Sequence, residues 1–273
     1  MKITKEIITI QGALPGKTST IIAGIHGNEI CGIKAFEELI PKLKINFGKV
    51  NFVYGNIKAI EKNKRQIDVN LNRVFRPDKE LSKKEKESYE YQRAKKLKKI
   101  LNQSDVLLDI HSSRNTKSVP FAIIASKNFY LAKKMPFKIV SSDWDKIEPG
   151  GTDDYMNRQN KINICAECGY NLDPKSIYRA KKIILTFLQL MGNITPTIKL
   201  KNHKQKSIKA YYVYHNKNKY FRLAKKFKDF EKIKKNTLIG FDGKEKIYCH
   251  NDSYIIFARN CQNINEDAFV LGK

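Results

Sequence analysis

The sequence predicts an α/β protein: a mixed, largely parallel sheet with helices on both faces, followed by a small all-β domain. Three observations predict it. Strand-like and helix-like segments alternate from the first residues to about residue 195, as in a sheet built from βαβ units. After residue 206 the texture changes to short alternating segments joined by turn residues. A chain of 273 residues with 41% hydrophobic composition has room for one large domain or two, and apolar surface for a sizeable core. The domains are set at 1–197 and 203–273, joined by the stretch GNITPTIKLKNHKQK (192–206).

In chain order, IITI (7–10) and STIIAGI (19–25) read as strands, and EICGIKAFEELIPKL (29–43) has apolar residues at helical spacing and ends near Pro41. KVNFVYG (49–55) is a strand, and SKKEKESYEYQRAKKLKKIL (82–101) is a highly charged helix with Tyr91, Ala94, Leu97 and Leu101 as its buried stripe. DVLLDI (105–110), FAIIA (121–125) and INICAEC (162–168) are strands, and PKSIYRAKKIILTFLQLM (174–191) is a long helix opening on Pro. Beyond the linker, KAYYVYH, KYFRLAKKF, TLIGFDG, EKIYCH and SYIIFAR are short β-like segments, and FDGK carries an Asp-Gly hairpin signal.

The formal net charge is +26, carried by 53 basic residues of which 44 are Lys and nine are Arg. A balance this basic raises a nucleic-acid or anionic-membrane surface. The choice of Lys argues against it, because phosphate- and base-reading surfaces favour the planar fork of Arg. Abundant Asn, Ile, Tyr and Phe beside the Lys read instead as a compositional habit. No nucleic-acid or membrane partner is expected. Five cysteines, thinly spread, do not make a disulfide scaffold. The N-terminal MKITKEIITI has no apolar stretch of signal-peptide length. No apolar run approaches the ~20 residues of a membrane span. The expectation is a soluble cytoplasmic protein.

Four segments carry candidate chemistry. AGIHGNE (23–29) ends an apolar strand in His26 and Glu29, three residues apart, so that both face one way in a first helical turn. Imidazole and carboxylate are both zinc donors. DVLLDIH (105–111) ends a second strand in His111, with Asp109 on the same strand face. Neighbouring strand ends in an α/β sheet share a crevice. His26, Glu29 and His111 would then supply three metal ligands and leave the open position of a catalytic site. Asp109 is placed to orient an imidazole from behind. KRQIDVNLNRVFRP (64–77) concentrates Arg65, Asn72, Arg73 and Arg76 in a chain that otherwise avoids Arg, as expected for a fixed grip on an anion. INICAECGY (162–170) buries Glu167, which needs a partner or a task. Beside an activated water it would be a general base. The Cys165-x-x-Cys168 spacing around it does not read as a redox pair, because it lies within a strand whose side chains there point to opposite faces.

AGIHGNE, RQIDVNLNRVF, LLDIHSS, EPGGTDDYMNR and ECG, in this order, resemble the succinylglutamate desuccinylase/aspartoacylase family of the zinc-carboxypeptidase-like group. The resemblance covers residues 20–190, and 230–259 resembles the β-domain of the desuccinylase branch. It implies a zinc-dependent amidohydrolase that deacylates a small anionic N-acyl amino acid with one Zn2+ per chain. It implies His26, Glu29 and His111 as zinc ligands, Glu167 as general base and Arg65 as the group polarising the scissile carbonyl. Asn72 and Arg73 would grip a substrate carboxylate, with Arg158 as a further carboxylate-binding Arg. The aspartoacylase branch also supplies a Tyr near its C-terminus, and CQNINEDAF has none. Two other functions remain compatible with the sequence: a zinc carboxypeptidase acting on peptides or cell-wall fragments, and a basic nucleic-acid or membrane-surface protein on an inactive enzyme scaffold. The acyl group and the oligomeric state are not legible in it.

Overall fold

A computed structural model describes residues 3–196 and 199–273. The first part of the chain runs β1 (Ile7–Gln11), β2 (Leu14–Ala23), α1 (Cys31–Leu39), β3 (Phe47–Tyr54), α2 (Ile57–Glu61), α3 (Lys83–Glu87), α4 (Tyr89–Asn102), β4 (Val106–Ser113) and β5 (Phe121–Ile123). It continues through α5 (Phe129–Ala132), β6 (Ile139–Ser142), α6 (Trp144–Ile147), α7 (Thr152–Arg158), β7 (Ile162–Tyr170) and α8 (Lys175–Leu190). The remainder is β8 (Lys206–His215), β9 (Arg222–Leu223), β10 (Glu231–Ile233), β11 (Leu238–Asp242), β12 (Glu245–Tyr248), β13 (Ser253–Ile256) and β14 (Asp267–Gly272).

Eleven strands form one mixed sheet in the order β1-β3-β2-β4-β7-β5-β6-β8-β14-β13-β10. The middle strands β3, β2, β4 and β7 are mutually parallel, and β5 returns antiparallel beside β7. The buried runs Ile21–Ala23 and Val106–Leu108 are apolar on both faces, as central parallel strands under two helical layers must be. One core joins α1 and α8 to the sheet through Phe36, Phe52, Leu108, Ile164 and Phe187. Another seats α4 through Tyr91, Ala94, Leu97 and Leu101, the stripe read from the sequence.

The structure departs from the sequence reading in two places. The charged helix is two helices. Ser88 is extended (φ −75°, ψ 156°), and its hydroxyl accepts from the Tyr91 N–H, so a local cap restarts the helix there. The β-rich region, although it has its own core around Phe221, Ile239, Ile255 and Phe269, also continues the main sheet. β8 pairs in parallel with β6 from Ile139↔Lys206 to Ser142↔Lys209. A shared cluster of Phe121, Trp144, Cys165, Ile208, Ile256 and Val270 binds the two parts. The boundary set at residue 197 lies outside the described residues. The FDGK hairpin is present between β11 and β12, with Gly243 taking the left-handed position (φ 62°).

Candidate metal centre and active site

The carboxyl ends of β2, β4 and β7 lie side by side, where an open α/β sheet offers its crevice. β4 carries His111, and the adjacent β7 carries Glu167 directly opposite it in register. Beyond β2 the chain bends and delivers His26 and Glu29 just before α1. Two glycines make this approach feasible. A Cβ on Gly27 would stand 2.1 Å from the Ala59 carbonyl carbon, and one on Gly32 would stand 2.8 Å from both Ala23 and Ile110. The backbone of 26–29 therefore presses on α2, and α1 presses on β2 and β4. The Gly27 N–H donates to the Arg65 carbonyl at 3.3 Å and ties this turn to the Arg65 loop.

The three candidate ligands face one another, with all their donor atoms within 4.8 Å. His26 Nδ1 is 2.8 Å from Glu29 Oε1, and His111 Nδ1 is 3.0 Å from Glu29 Oε2. The outer nitrogens face oxygen atoms behind them. His26 Nε2 lies 3.1 Å from the Asn70 Oδ1, which also accepts the Asn72 N–H, so Nε2 carries the hydrogen. His111 Nε2 lies 3.1 Å from Asp109 Oδ2, and that oxygen also accepts the Thr152 hydroxyl at 2.5 Å. Burial drives the His26 pKa down to about 4, so the ring is neutral at pH 7. Its Nδ1 lone pair then faces a carboxylate at 2.8 Å with no hydrogen bond between them. Two buried lone pairs at that distance repel unless a cation lies between them. These donors therefore fit a divalent metal held by His26 Nδ1, Glu29 and His111 Nδ1, with Asn70 holding the His26 ring and the Asp109 carboxylate beside that of His111. For His111, burial lowers the pKa, and the flanking Asp109 and Glu29 carboxylates more than reverse this and raise it well above the ordinary range.

Glu167 is 7% exposed, and its Oε2 has no hydrogen-bond partner. Burial pushes its pKa up to about 8, against the pull of His111 and with the help of Glu29 and Asp229. A carboxyl poised near neutrality in a cleft is the environment expected of a proton-transfer group. Cys165, two residues earlier, lies on the same strand face and lines the cavity, whereas Cys168 belongs to the core on the other face. All five cysteines are free.

A cavity of about 340 Å³ opens over these groups. Arg65, Asn72 and Arg73 line it, as does Glu167. Arg65 Nη1 lies 3.1 Å from Glu29 Oε1, and burial lowers its pKa. Asn72 Oδ1 accepts the Thr152 N–H at 3.1 Å, which joins the loop to the Gly-Gly-Thr turn. Arg73 donates from Nη1 to the Asn72 carbonyl, and its Nη2 pairs with Glu148 and, at 3.3 Å, with Asp267. Arg158 does not reach the cavity. It ends α7, is 41% exposed, and its Nε bonds Asp154 one helical turn back at 2.9 Å, with Glu80 at 3.7 Å. The i, i+4 ion pair holds it on the helix surface.

Three residues of consequence were missed from the sequence. Arg114 and Arg259 line the cavity. Both stand outside the dense Arg-Asn segment that drew attention, although each is an Arg in a Lys-rich chain. Buried Glu90 organises that segment. Its carboxylate accepts from the Ile67, Asp68 and Val69 N–H groups at 2.7, 3.1 and 3.3 Å, and from Asn56 Nδ2 at 3.0 Å. Its place at the buried edge of a Lys-rich helix was the available signal. The stretch CQNINEDAF contributes Asp267 and Phe269 to the cavity.

The succinylglutamate desuccinylase/aspartoacylase catalytic domain matches residues 15–191. The chain belongs to this family. It is 26% identical over 194 residues to a probable aspartoacylase of Nostoc sp., a match spanning 64% of this chain and 65% of that protein. It is 29% identical over 122 residues to the succinylglutamate desuccinylase of Pseudoalteromonas atlantica, spanning 39% of this chain and 35% of the relative. The match thus covers less than two thirds of either relative. The fold is that of the succinylglutamate desuccinylase of Vibrio cholerae (TM-score 0.78, 19% identity, 98% of this chain and 85% of that one). It is also that of a succinylglutamate desuccinylase/aspartoacylase from Rhodobacter sphaeroides (TM-score 0.74, 17% identity, 98% and 88%).

Proposed function

We propose that the protein is a zinc-dependent amidohydrolase that releases an amino acid from its N-acyl form. The observation that carries this reading is the buried triad of His26, Glu29 and His111, whose donor atoms lie within 4.8 Å of one another while the neutral His26 ring, held by Asn70, turns its lone pair on Glu29. Family membership supports it. A zinc ion on these donors would lower the pKa of a bound water to about 7 and act as a Lewis acid for the scissile carbonyl. Glu167 takes the proton from the attacking water and returns it to the departing amine. Its burial and raised pKa suit both transfers. Arg65, already beside Glu29, donates to the oxyanion as it forms; one such donor is typically worth about 3–4 kcal/mol. The arginines of the cavity select a substrate bearing a carboxylate over a plain amide.

The test is amine release from a panel of N-acyl amino acids, N-succinylglutamate and N-acetylaspartate included, with and without a zinc chelator. Chelator-sensitive release from any member supports the reading, and the best substrate identifies the acyl group. Silence across the panel with zinc bound refutes N-acyl amino acids as substrates and turns the search to peptides.

A further inference from the structure

The four arginines of the cavity are not held alike. Arg73 is spent on protein groups: Asn72, Glu148 and Asp267. Arg65 lies on Glu29. Arg114, at the exposed rim, has Nε and Nη2 within 3.1 Å of the Asn28 carboxamide, whose oxygen accepts both once the amide is turned to face it. Arg259 differs from all three. Its backbone N–H donates to the Ala268 carbonyl at 2.9 Å and its Nε to the Asp267 carbonyl at 2.7 Å. These two bonds pin it to β14. Among the described residues no carboxylate oxygen lies within 4.0 Å of its nitrogens, although its charge is felt by Asp267. Asp267, the nearest candidate, gives its oxygens to Arg73 and His215. The Nη1 and Nη2 edge, the face that matches a carboxylate with two parallel hydrogen bonds, is left without a protein partner beside the cavity that Arg259 lines.

The backbone leading to Arg259 is strained in its favour. Phe257, a bulky residue, stands at φ +54°, a conformation that persists only where the surroundings impose it. Buried Asp229 imposes it by accepting the Phe257 N–H at 2.8 Å. The bend ends β13 and brings Phe257, Arg259 and Asn260 together into the cavity wall.

We infer that Arg259 is a specificity-determining residue that reads a substrate carboxylate through its Nη1 and Nη2 edge, in addition to any grip from Arg73. The substrate class is then an N-acyl amino acid whose carboxylate reaches the wall built by the β13–β14 connection. The inference rests on the deacylase reading for its substrate but not for its anion site.

The experiment is a coupling cycle on the zinc-loaded enzyme. Wild type and Arg259→Gln are compared on the best N-acyl amino acid and on its forms with each carboxylate in turn converted to a carboxamide. Arg259→Gln is expected to raise KM about 10- to 100-fold for the full substrate, the weight of a charge-assisted hydrogen-bond pair. For one carboxamide form the same substitution costs little more than the carboxamide alone, because both changes remove one interaction. Arg259→Lys restores only part, since a point charge cannot reproduce the fork. It also serves as the test variant if Arg259→Gln does not fold. An equal KM increase for every substrate, or none, overturns the inference. Should no panel member be turned over, the deacylase reading fails separately, and calorimetric titration with succinate and glutarate decides the anion site. A tenfold or greater loss of affinity in Arg259→Gln supports it, and unchanged affinity overturns it.

Discussion

Two groups of histidine and carboxylate face the cavity region, and they do different things with the same side chains. His26, Glu29 and His111 are buried, and the lone pairs of His26 and Glu29 meet without a hydrogen between them. Glu148, His215 and Asp267 also bring their donor atoms within 4.8 Å of one another. In this second group His215 is 42% exposed, and the Arg73 guanidinium already sits against both carboxylates. It has its cation. The difference teaches that residue type and proximity do not make a metal centre. What singles out the first group is burial that keeps the His26 imidazole neutral, with Asn70 turning its Nδ1 lone pair inward, and a guanidinium, that of Arg65, that reaches only Glu29, whereas Arg73 spans both carboxylates of the second.

The sharpest way to break this comparison is to remove one histidine from each group. His111→Ala should lower zinc from one ion per chain to near none after dialysis, with amine release falling by about three orders of magnitude or more. His215→Ala should leave zinc content at the wild-type level. Metal analysis of the two purified variants checks both statements, and loss of zinc from His215→Ala would erase the distinction.

Glu167→Gln separates holding the metal from using it. The amide keeps the size of the side chain and removes the proton acceptor. Zinc content should match wild type while kcat falls about 100- to 10,000-fold. Steady-state kinetics beside metal analysis decides it. Retained turnover would mean that another group moves the proton.

The first group also depends on a support that the second lacks. Glu90 satisfies three successive backbone N–H groups of the segment that carries Arg65, Asn70 and Asn72. Glu90→Ala leaves those donors and Asn56 without their acceptor and should cost about 3 kcal/mol of stability. Urea denaturation measures it. A cost under about 1 kcal/mol would show that water replaces the carboxylate freely.

The candidate centre was legible in the sequence because its parts sit where strands end. A polar His at the end of an apolar run has few reasons to be there, and two such strands were enough to assemble His26, Glu29 and His111. The alternation of strand and helix gave the parallel middle of the sheet for the same reason, since each period is a local property. What was not legible depends on distant contacts. Nothing in KSIKAYYVYH announces that β8 will extend the main sheet through β6. Arg158 looked available because the sequence does not show Asp154 capturing it across one turn. Arg259 and Glu90 escaped because their importance lies in what they face, Asp267 and the 67–69 backbone, far away along the chain. The Arg-for-Lys signal was sound but applied to one segment only. Four of the nine arginines line the cavity, and among the described residues no lysine does.

The smallest effect is expected in the second group, and it carries a pH signature. Burial alone would raise the Asp267 pKa. The His215 hydrogen bond and the Arg73 and Arg259 charges reverse this, and it falls from 3.8 to about 2. A carboxyl depressed in the folded state adds stability that is complete above its unfolded pKa and is lost as pH falls through the folded one. Because the side chain is 34% exposed, solvent screening trims the contribution to about 1 kcal/mol. Asp267→Asn should therefore be less stable than wild type by about that amount, evenly from pH 5 to 8, with the gap closing as pH falls from about 4 toward 2. Denaturant midpoints at a series of pH values give the curve. A gap that persists unchanged at the acid end would assign the loss to packing or to the neutral hydrogen bonds of Asp267. A gap that closes would establish that this group, unlike the first, is an ion-paired clamp between the 64–77 segment and the β-rich wall.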